Sequence, residues 1–381
     1  MDFNFKEEQL AFAEALKRWV SKDYGFDVRK KIIHSTSGVS DAAWSMLAEL
    51  GMTALPVPEE QGGFNGSALD MFVVMRELGR GLVVEPYLAT MIGAEVLKRG
   101  GGHGALLEQV ASGELKLACA LAEKQGRYDL ADITTRATAN NGGYLINGAK
   151  SIVLHGAQAG SLIVSARASG GQRDTEGISL FVVPAATAGV AVTDFRTLDG
   201  LRAANISFTD VQLPAAALIG KAGSGWDTLD HAADYGAALL CAEALGAMEA
   251  IFDATLDYVK TRSQFGAPIG KFQALQHRMA DMYIHLEQAR SMALLAAVKM
   301  ASGDVSERRR TISAAKFRIG QALKFVGQQA VQLHGGMGVT DEVLAAHHFK
   351  RLTMIELTLG DSDHHLQRFI AQPGFATESA E

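Results

Sequence analysis

Tyr144-Leu145-Ile146-Asn147-Gly148-Ala149-Lys150-Ser151-Ile152-Val153-Leu154 decides the fold class, because its period falls toward two in a chain that otherwise reads as helix. Asn140-Asn141-Gly142-Gly143 stands just before it and signals a tight turn between antiparallel strands. Residues 144–146, 151–154, 162–164, 178–183, 190–192 and 206–208 read as six short strands with no helical stretch between them. That texture predicts an antiparallel barrel or sandwich and argues against βαβ units.

On both sides the period lengthens. Leu10, Phe12, Ala13, Leu16, Trp19 and Val20 lie near helical spacing. Asp41 is placed to cap a second helix that Gly51 stops, and residues 67–82 form a third with Leu69, Phe72, Val73, Met75 and Leu78 inward. After Gly225 the stripes are longer: Leu245, Met248, Phe252, Leu256, Val259; then Leu275, Met279, Met282, Leu286; then Ile312, Ile319, Leu323, Val326, Ala330, Leu333. Such stripes predict an antiparallel bundle. The expected class is therefore α+β and multidomain, with an N-terminal helical domain (1–115), a central antiparallel β-barrel or sandwich (116–224) and a C-terminal four-helix bundle (225–381).

Composition narrows the function. A net charge of −6 over 381 residues lacks the basic excess of a nucleic-acid binder. Two cysteines, Cys119 and Cys241, cannot build a disulfide scaffold or a Cys-rich metal site, and they fit a cytoplasmic location. No apolar run is read as reaching the ~18–20 residues of a membrane span. The start, Met1-Asp2-Phe3-Asn4-Phe5-Lys6, lacks a secretory leader pattern. No GxSxG elbow or P-loop occurs. His347-His348 and His364-His365 lack metal-ligand spacing, so no metal is expected. Glu307-Arg308-Arg309-Arg310 reads as a solvated helix start.

Two motifs remain. Gly335-Gly336-Met337-Gly338 follows a helix rather than a strand, which excludes a dinucleotide fingerprint; it reads as a helix cap, with Gln332 and His334 near enough to hydrogen-bond a ligand on its amides. Arg262-Ser263-Gln264-Phe265-Gly266 reads as a helix end whose arginine suits a phosphate and whose Phe265 suits a flat ring.

Taken in order along the chain, these segments resemble the acyl-CoA dehydrogenase family. They are joined by Leu50-Gly51-Met52, Pro58-Glu59-Glu60-Gln61-Gly62-Gly63, Asn147-Gly148-Ala149-Lys150 and Asp210-Val211-Gln212-Leu213-Pro214. Arg127–Asp132, Asp199–Ala204 and 360–365 resemble, within that family, the small subunits of pimeloyl-CoA dehydrogenases. The resemblance implies α,β-desaturation of an acyl-CoA: a carboxylate base takes the α-proton and FAD takes the β-hydride. It also implies an electron-transferring flavoprotein as acceptor, and a neighbouring subunit's bundle that reaches the adenine and diphosphate end of the flavin.

Against that pattern the chain departs in one half only. Leu359 stands where the family's base is usual, and Gly236 at the alternative position, with Ala237 for a common arginine; Asp234 is the nearby carboxylate. Ala122-Glu123-Lys124-Gln125-Gly126-Arg127-Tyr128-Asp129 replaces the small residues that admit the flavin phosphates, and Ile152-Val153-Leu154 lacks the flavin-flanking hydroxyl. Arg262, Gln264, Phe265, Gln332, Gly335 and Gly336 all match the positions that, in the family the chain resembles, serve a neighbour's FAD. Three readings follow. The chain is the small helper of an α2β2 dehydrogenase acting on a medium-chain or dicarboxylic acyl-CoA beside a larger subunit; or a self-sufficient homo-oligomer using Asp234; or a flavin-free acyl-CoA-binding or structural protein.

Overall fold

The computed structural model describes residues 5–373. The leader reading at residues 1–4, and the last eight residues of the expected bundle, lie outside the described residues.

The first helices are α1 (Glu7–Asp23), α2 (Phe26–Ile33), α3 (Asp41–Glu49), α4 (Ala68–Gly81), α5 (Tyr87–Gly100) and α6 (Gly104–Ala111). Ser40, not Asp41, caps α3: its hydroxyl accepts from the Ala43 amide. Asp41 sits one residue inside, where its charge favours the helix N-terminus. Ser67 caps α4 in a reciprocal box with Asp70. Helix α5 escaped the periodicity reading because residues 87–97 are buried on every side, which leaves no polar face to set a period.

The strands are β1 (Leu117–Ala120), β2 (Arg136–Asn140), β3 (Gly143–Leu154), β4 (Ser161–Arg167), β5 (Ile178–Pro184), β6 (Val190–Arg196), β7 (Arg202–Pro214) and β8 (Leu218–Ile219). The sheet order is β6-β7-β3-β2-β4-β5-β8, with β1 beside β4. Asn140 pairs with Gly143 across the turn, as the sequence indicates. Two corrections apply. Residues 144–146 and 151–154 belong to one strand, β3, interrupted by bulges after Ile146 and Lys150. The sheet is not wholly antiparallel, since β1 runs parallel to β4 and β2 meets β4 in parallel at Arg136 and Arg167. Ile146, Leu162, Val164, Phe181, Ile206, Phe208 and Val211 form its core.

The C-terminal helices are α7 (Trp226–Thr261), α8 (Gln273–Lys299), α9 (Val305–His334), α10 (Leu344–Leu357) and α11 (Ser362–Ile370). The expected fourth bundle helix is thus two short ones, because Leu359 (φ 55°) and Gly360 (φ 107°) turn the chain between them. Helix α7 also corrects the membrane reading: it is long and apolar enough to cross a bilayer, but 89% of its apolar window is buried inside the protein. Its composition is that of a core helix. Arg308 is buried rather than solvated.

The fold packs as two compact units. Among the described residues, one gathers those up to Lys30, Ser67–Val83 and those from Ala237 onward; the other gathers Lys31–Gly66 and Val84–Gly236. In the first unit α4 and α7 cross with their backbones in contact. A Cβ on Gly246 would lie 1.8 Å from the Arg76 carbonyl, and one on Gly79 would lie 2.1 Å from that of Glu243. The buried Glu249 carboxylate ties the same helices to α8 by accepting from Arg76, Arg80 and Arg290.

Candidate functional site

Helix α7 ends at Thr261 and the chain turns back at once. Ser263–Gln264 pairs with Ala267–Pro268 as a two-residue hairpin. Phe265 (φ 56°) and Gly266 (φ 79°) are its central residues, the backbone of a type I′ turn. The sequence reading of a simple helix end missed this hairpin; a Phe-Gly pair is not the usual signature. The turn lifts Phe265 to 91% exposure, with its ring edge-on to Phe272 at 6.1 Å. Arg262 and Gln264 are exposed, and neither side chain takes a hydrogen bond or ion pair among the described residues. Beside the hairpin lies a cavity of ≈ 420 Å³ walled by Leu256, Val259, Pro268, Leu275 and Met279. Lys260, Gly270, Lys271 and Gln276 complete the lining, which has no carboxylate or imidazole.

Helix α9 ends close by. Gly335 (φ 60°, ψ −141°) breaks it in a conformation that L residues avoid, and a one-and-a-half-turn 3-10 segment follows. A Cβ on Gly335 or Gly336 would meet nothing within 4 Å, so the backbone there is open. Gln332 is exposed one turn earlier. His334 does not face outward as expected. It is buried, with Nδ1 2.8 Å from the Ala330 carbonyl and its ring stacked on Tyr258. That stacking brings the Arg262–Gly266 and 332–338 segments together, and the sequence reading had not named Tyr258.

The base positions are occupied as follows. Leu359 is half-buried in the kink between α10 and α11. The kink itself is firmly built. The fully buried Lys316 donates to the carbonyls of Ile355 (2.9 Å), Glu356 (3.2 Å) and Gly360 (2.8 Å), and His365 Nε2 lies 2.9 Å from the Leu359 carbonyl. Burial pushes the Lys316 ammonium below its usual range. Lys316 was legible as a lysine on the Ile312–Ile319 stripe. Asp234 and Gly236 lie on α7, where Asp234 is 1% exposed and already engaged.

In the β unit, the turn at residues 122–129 is closed on itself. Burial would raise the Glu123 carboxyl, but Lys150 (2.8 Å), Thr134 and Gln125 hold it down at about 2. Its oxygens also accept from the amides of Thr134 (2.8 Å) and Thr135 (3.1 Å). Burial pushes Lys150 down to about 8 against the pull of Glu123. Gly126 is buried, and a Cβ there would lie 2.9 Å from the Asp129 carbonyl. Arg127 is exposed, with its guanidinium 5.1 Å from the centre of the Tyr128 ring. Ile152, on the second bulge of β3, is exposed at φ 53°.

Comparison with known proteins identifies the family and the fold. Residues 6–114, 118–212 and 223–372 match the N-terminal, middle and C-terminal domains of acyl-CoA dehydrogenase. A probable acyl-CoA dehydrogenase of Bacillus subtilis (strain 168), YngJ, is 30% identical over 97% of this chain and 98% of its own length.

The chain belongs to the acyl-CoA dehydrogenase family.

Two solved family structures show its range. The FAD complex of PigA is 26% identical, with a TM-score of 0.91 over 99% of this chain and 100% of that one. A chain of the ChsE4-ChsE5 complex from Mycobacterium tuberculosis is 26% identical, with a TM-score of 0.86 over 97% of each. Relatives therefore include complexes of two different subunits, and the family typically binds FAD.

The residues of this acyl-CoA dehydrogenase chain fit FAD in one place and not in another. The open Gly335–Gly336 backbone and the unengaged Arg262, Gln264 and Gln332 suit the anionic nucleotide end of the cofactor. The 122–129 turn does not suit it: its glycine is packed against carbonyls, whereas a phosphate needs open amides.

Proposed function

We propose that this chain is the small helper subunit of a heteromeric, FAD-dependent acyl-CoA dehydrogenase, an α2β2 assembly with a larger family member. One observation carries the reading. The bundle segment that reaches outward is open and unengaged, while the turn that would hold the chain's own flavin is closed.

Bound FAD supplies the hydride acceptor. The residues of this chain bind and orient. Arg262 neutralises diphosphate charge, Gln332 and the Gly335 and Gly336 amides hydrogen-bond the nucleotide end, and Phe265 covers a flat ring. The proton is taken by a carboxylate of the larger subunit, since the isobutyl group of Leu359 accepts none. The substrate we propose is a medium-chain or dicarboxylic acyl-CoA such as pimeloyl-CoA. An electron-transferring flavoprotein takes the electrons, and the site of action is the cytoplasm.

The test is purification alone and with the larger homologue. The helper reading expects a colourless chain alone and a yellow complex. A yellow, acyl-CoA-reducible chain in isolation would support the self-sufficient reading instead, and a large fall in kcat on Asp234→Asn would then identify its base.

A further inference from the structure

The cavity beside the hairpin is a separate place from the segments proposed for FAD: Arg262, Gln264, Phe265, Gln332 and the Gly335–Gly336 backbone are not in its lining. Three elements build it. Helix α7 gives Val259 and Lys260, the 3-10 turn Ile269–Lys271 gives Gly270 and Lys271, and α8 gives Leu275 and Met279. Backbone contacts fix the turn on α7. The Ile269 amide donates to the Arg262 carbonyl at 2.8 Å, and a Cβ on Gly270 would lie 2.9 Å from the Val259 carbonyl. Gln276 Nε2 donates to the Gly270 carbonyl at 3.0 Å and so ties the same turn to α8. The walls are therefore set by the fold itself.

Aliphatic and thioether groups form those walls, and no aromatic ring is among them. A flat base therefore finds nothing to stack on, whereas an alkyl chain finds matching surface. At ≈ 420 Å³ the cavity is of small-ligand size. A cavity of about 150 Å³ already holds benzene, so one aromatic side chain of a protein partner would leave most of this one empty. Lys260 and Lys271 are both exposed, and neither takes a hydrogen bond or ion pair among the described residues. A lysine lays its methylenes along an apolar wall and keeps its ammonium in water. Two uncommitted cations thus flank an apolar slot, with no carboxylate in the lining, in a chain whose net charge is −6.

We propose that this cavity binds a medium-chain fatty carboxylate, with its alkyl chain between α7 and α8 and its head held by Lys260 and Lys271. The alkyl chain supplies affinity by leaving water, and the lysines supply the preference for an acid over a neutral amphiphile. A polyanionic head such as that of coenzyme A carries more charge than two ammonium groups offset, and the excess meets the net negative charge of the chain, so a free acid is the better match. The binding makes and breaks no covalent bond. FAD, acyl-CoA and the larger subunit play no part in it, so this site goes beyond the proposed function and does not rest on it.

Calorimetric titration of the full chain with octanoate, decanoate and dodecanoate, kept below micelle formation and without flavin or partner, tests the site. Affinity should rise roughly tenfold with each added pair of methylenes until the slot is full. Decanol keeps the chain and lacks the charge, so it should bind about tenfold more weakly than decanoate. Changing Lys260→Gln and Lys271→Gln together removes two exposed, uncommitted charges. That double variant should keep its Tm, lose about tenfold in decanoate affinity and bind decanol as before. Leu275→Trp puts an indole into the slot and should abolish both; should it fail to fold, the lysine pair alone decides. Absence of decanoate binding at millimolar ligand, or equal binding by the double variant, overturns the proposal. Decanoyl-CoA held more tightly than decanoate, with that advantage lost in the double variant, would assign the lysines to phosphates and overturn the carboxylate. No fatty-acid binding together with a Leu275→Trp variant that blocks assembly with a larger subunit would make the slot a partner contact, and overturns it too. Because the lone chain is titrated, failure of the helper reading leaves each of these outcomes readable.

Discussion

The Tyr258 ring lies stacked on that of His334, with centroids 4.5 Å apart and 25° between the planes, and the Tyr258 hydroxyl reaches the His334 carbonyl at 3.4 Å. Tyr258 stands one turn before Arg262, and His334 stands directly before Gly335. One aromatic contact therefore sets the spacing of the two outward-facing segments. Tyr258→Leu keeps an apolar side chain and removes the stack, at a cost of about 1 kcal/mol and a few degrees in Tm. On the proposed helper reading, the two-subunit complex should lose flavin absorbance well beyond what that small loss of stability explains.

Arg262→Ala separates binding from folding. The side chain is exposed and unengaged among the described residues, so stability should move by no more than about 0.5 kcal/mol. A charge-assisted bond to a phosphate is worth about 1.5–3 kcal/mol, so FAD should dissociate from the complex roughly tenfold or more faster. Denaturant titration of the variant and flavin release by fluorescence read the two effects independently.

The Lys150–Glu123 pair is buried at both ends. Lys150→Met leaves the carboxylate without its cation and should cost about 3–5 kcal/mol in urea unfolding. Acid gives a second readout. The Glu123 carboxyl titrates near 2 in the folded protein, below its unfolded value, so its contribution is complete above about pH 4.5 and fades as pH falls toward 2. In the Lys150→Met variant that acid-dependent component should shrink.

Ile152 is a β-branched residue held at φ 53° with 61% of its surface exposed. Such a backbone costs about 1–2 kcal/mol for an L residue, and asparagine tolerates it best after glycine. Ile152→Asn gives up little burial and should raise Tm by a few degrees in calorimetry. A lower Tm would mean that the contacts of the isoleucine side chain at the bulge outweigh its strain.

Local pattern carried much of the fold. The Asn140–Gly143 turn, the strand texture of the β unit and the stripes of α8 and α9 are short-range signals, and they landed where the chain puts them. What escaped the sequence reading was set by tertiary context. Helix α5 has no polar side, β1 enters parallel to a strand some forty residues away, and the hairpin after α7 is built on an unusual Phe-Gly turn. In the candidate site and around it, the exposed residues Arg262, Gln264, Phe265 and Gln332 were named from the sequence, but the buried groups that brace the neighbouring segments were not. Tyr258, Lys316 and Arg29 act through stacking, carbonyl capping and a buried contact with His347. Each joins residues far apart in the chain, so no local pattern announces its partners, although Lys316 itself stands out as a lysine on an apolar stripe. His334 was misread for the same reason: its partner ring lies 76 residues away.

The turn at Phe265 and Gly266 has a practical side. An aromatic ring held almost wholly in water at the tip of a stiff hairpin is an adhesive knob on any copy made without a companion to shelter it. On the proposed helper reading, the lone polypeptide should self-associate more readily than the same chain co-expressed with a larger family member, which light scattering of the two preparations would show.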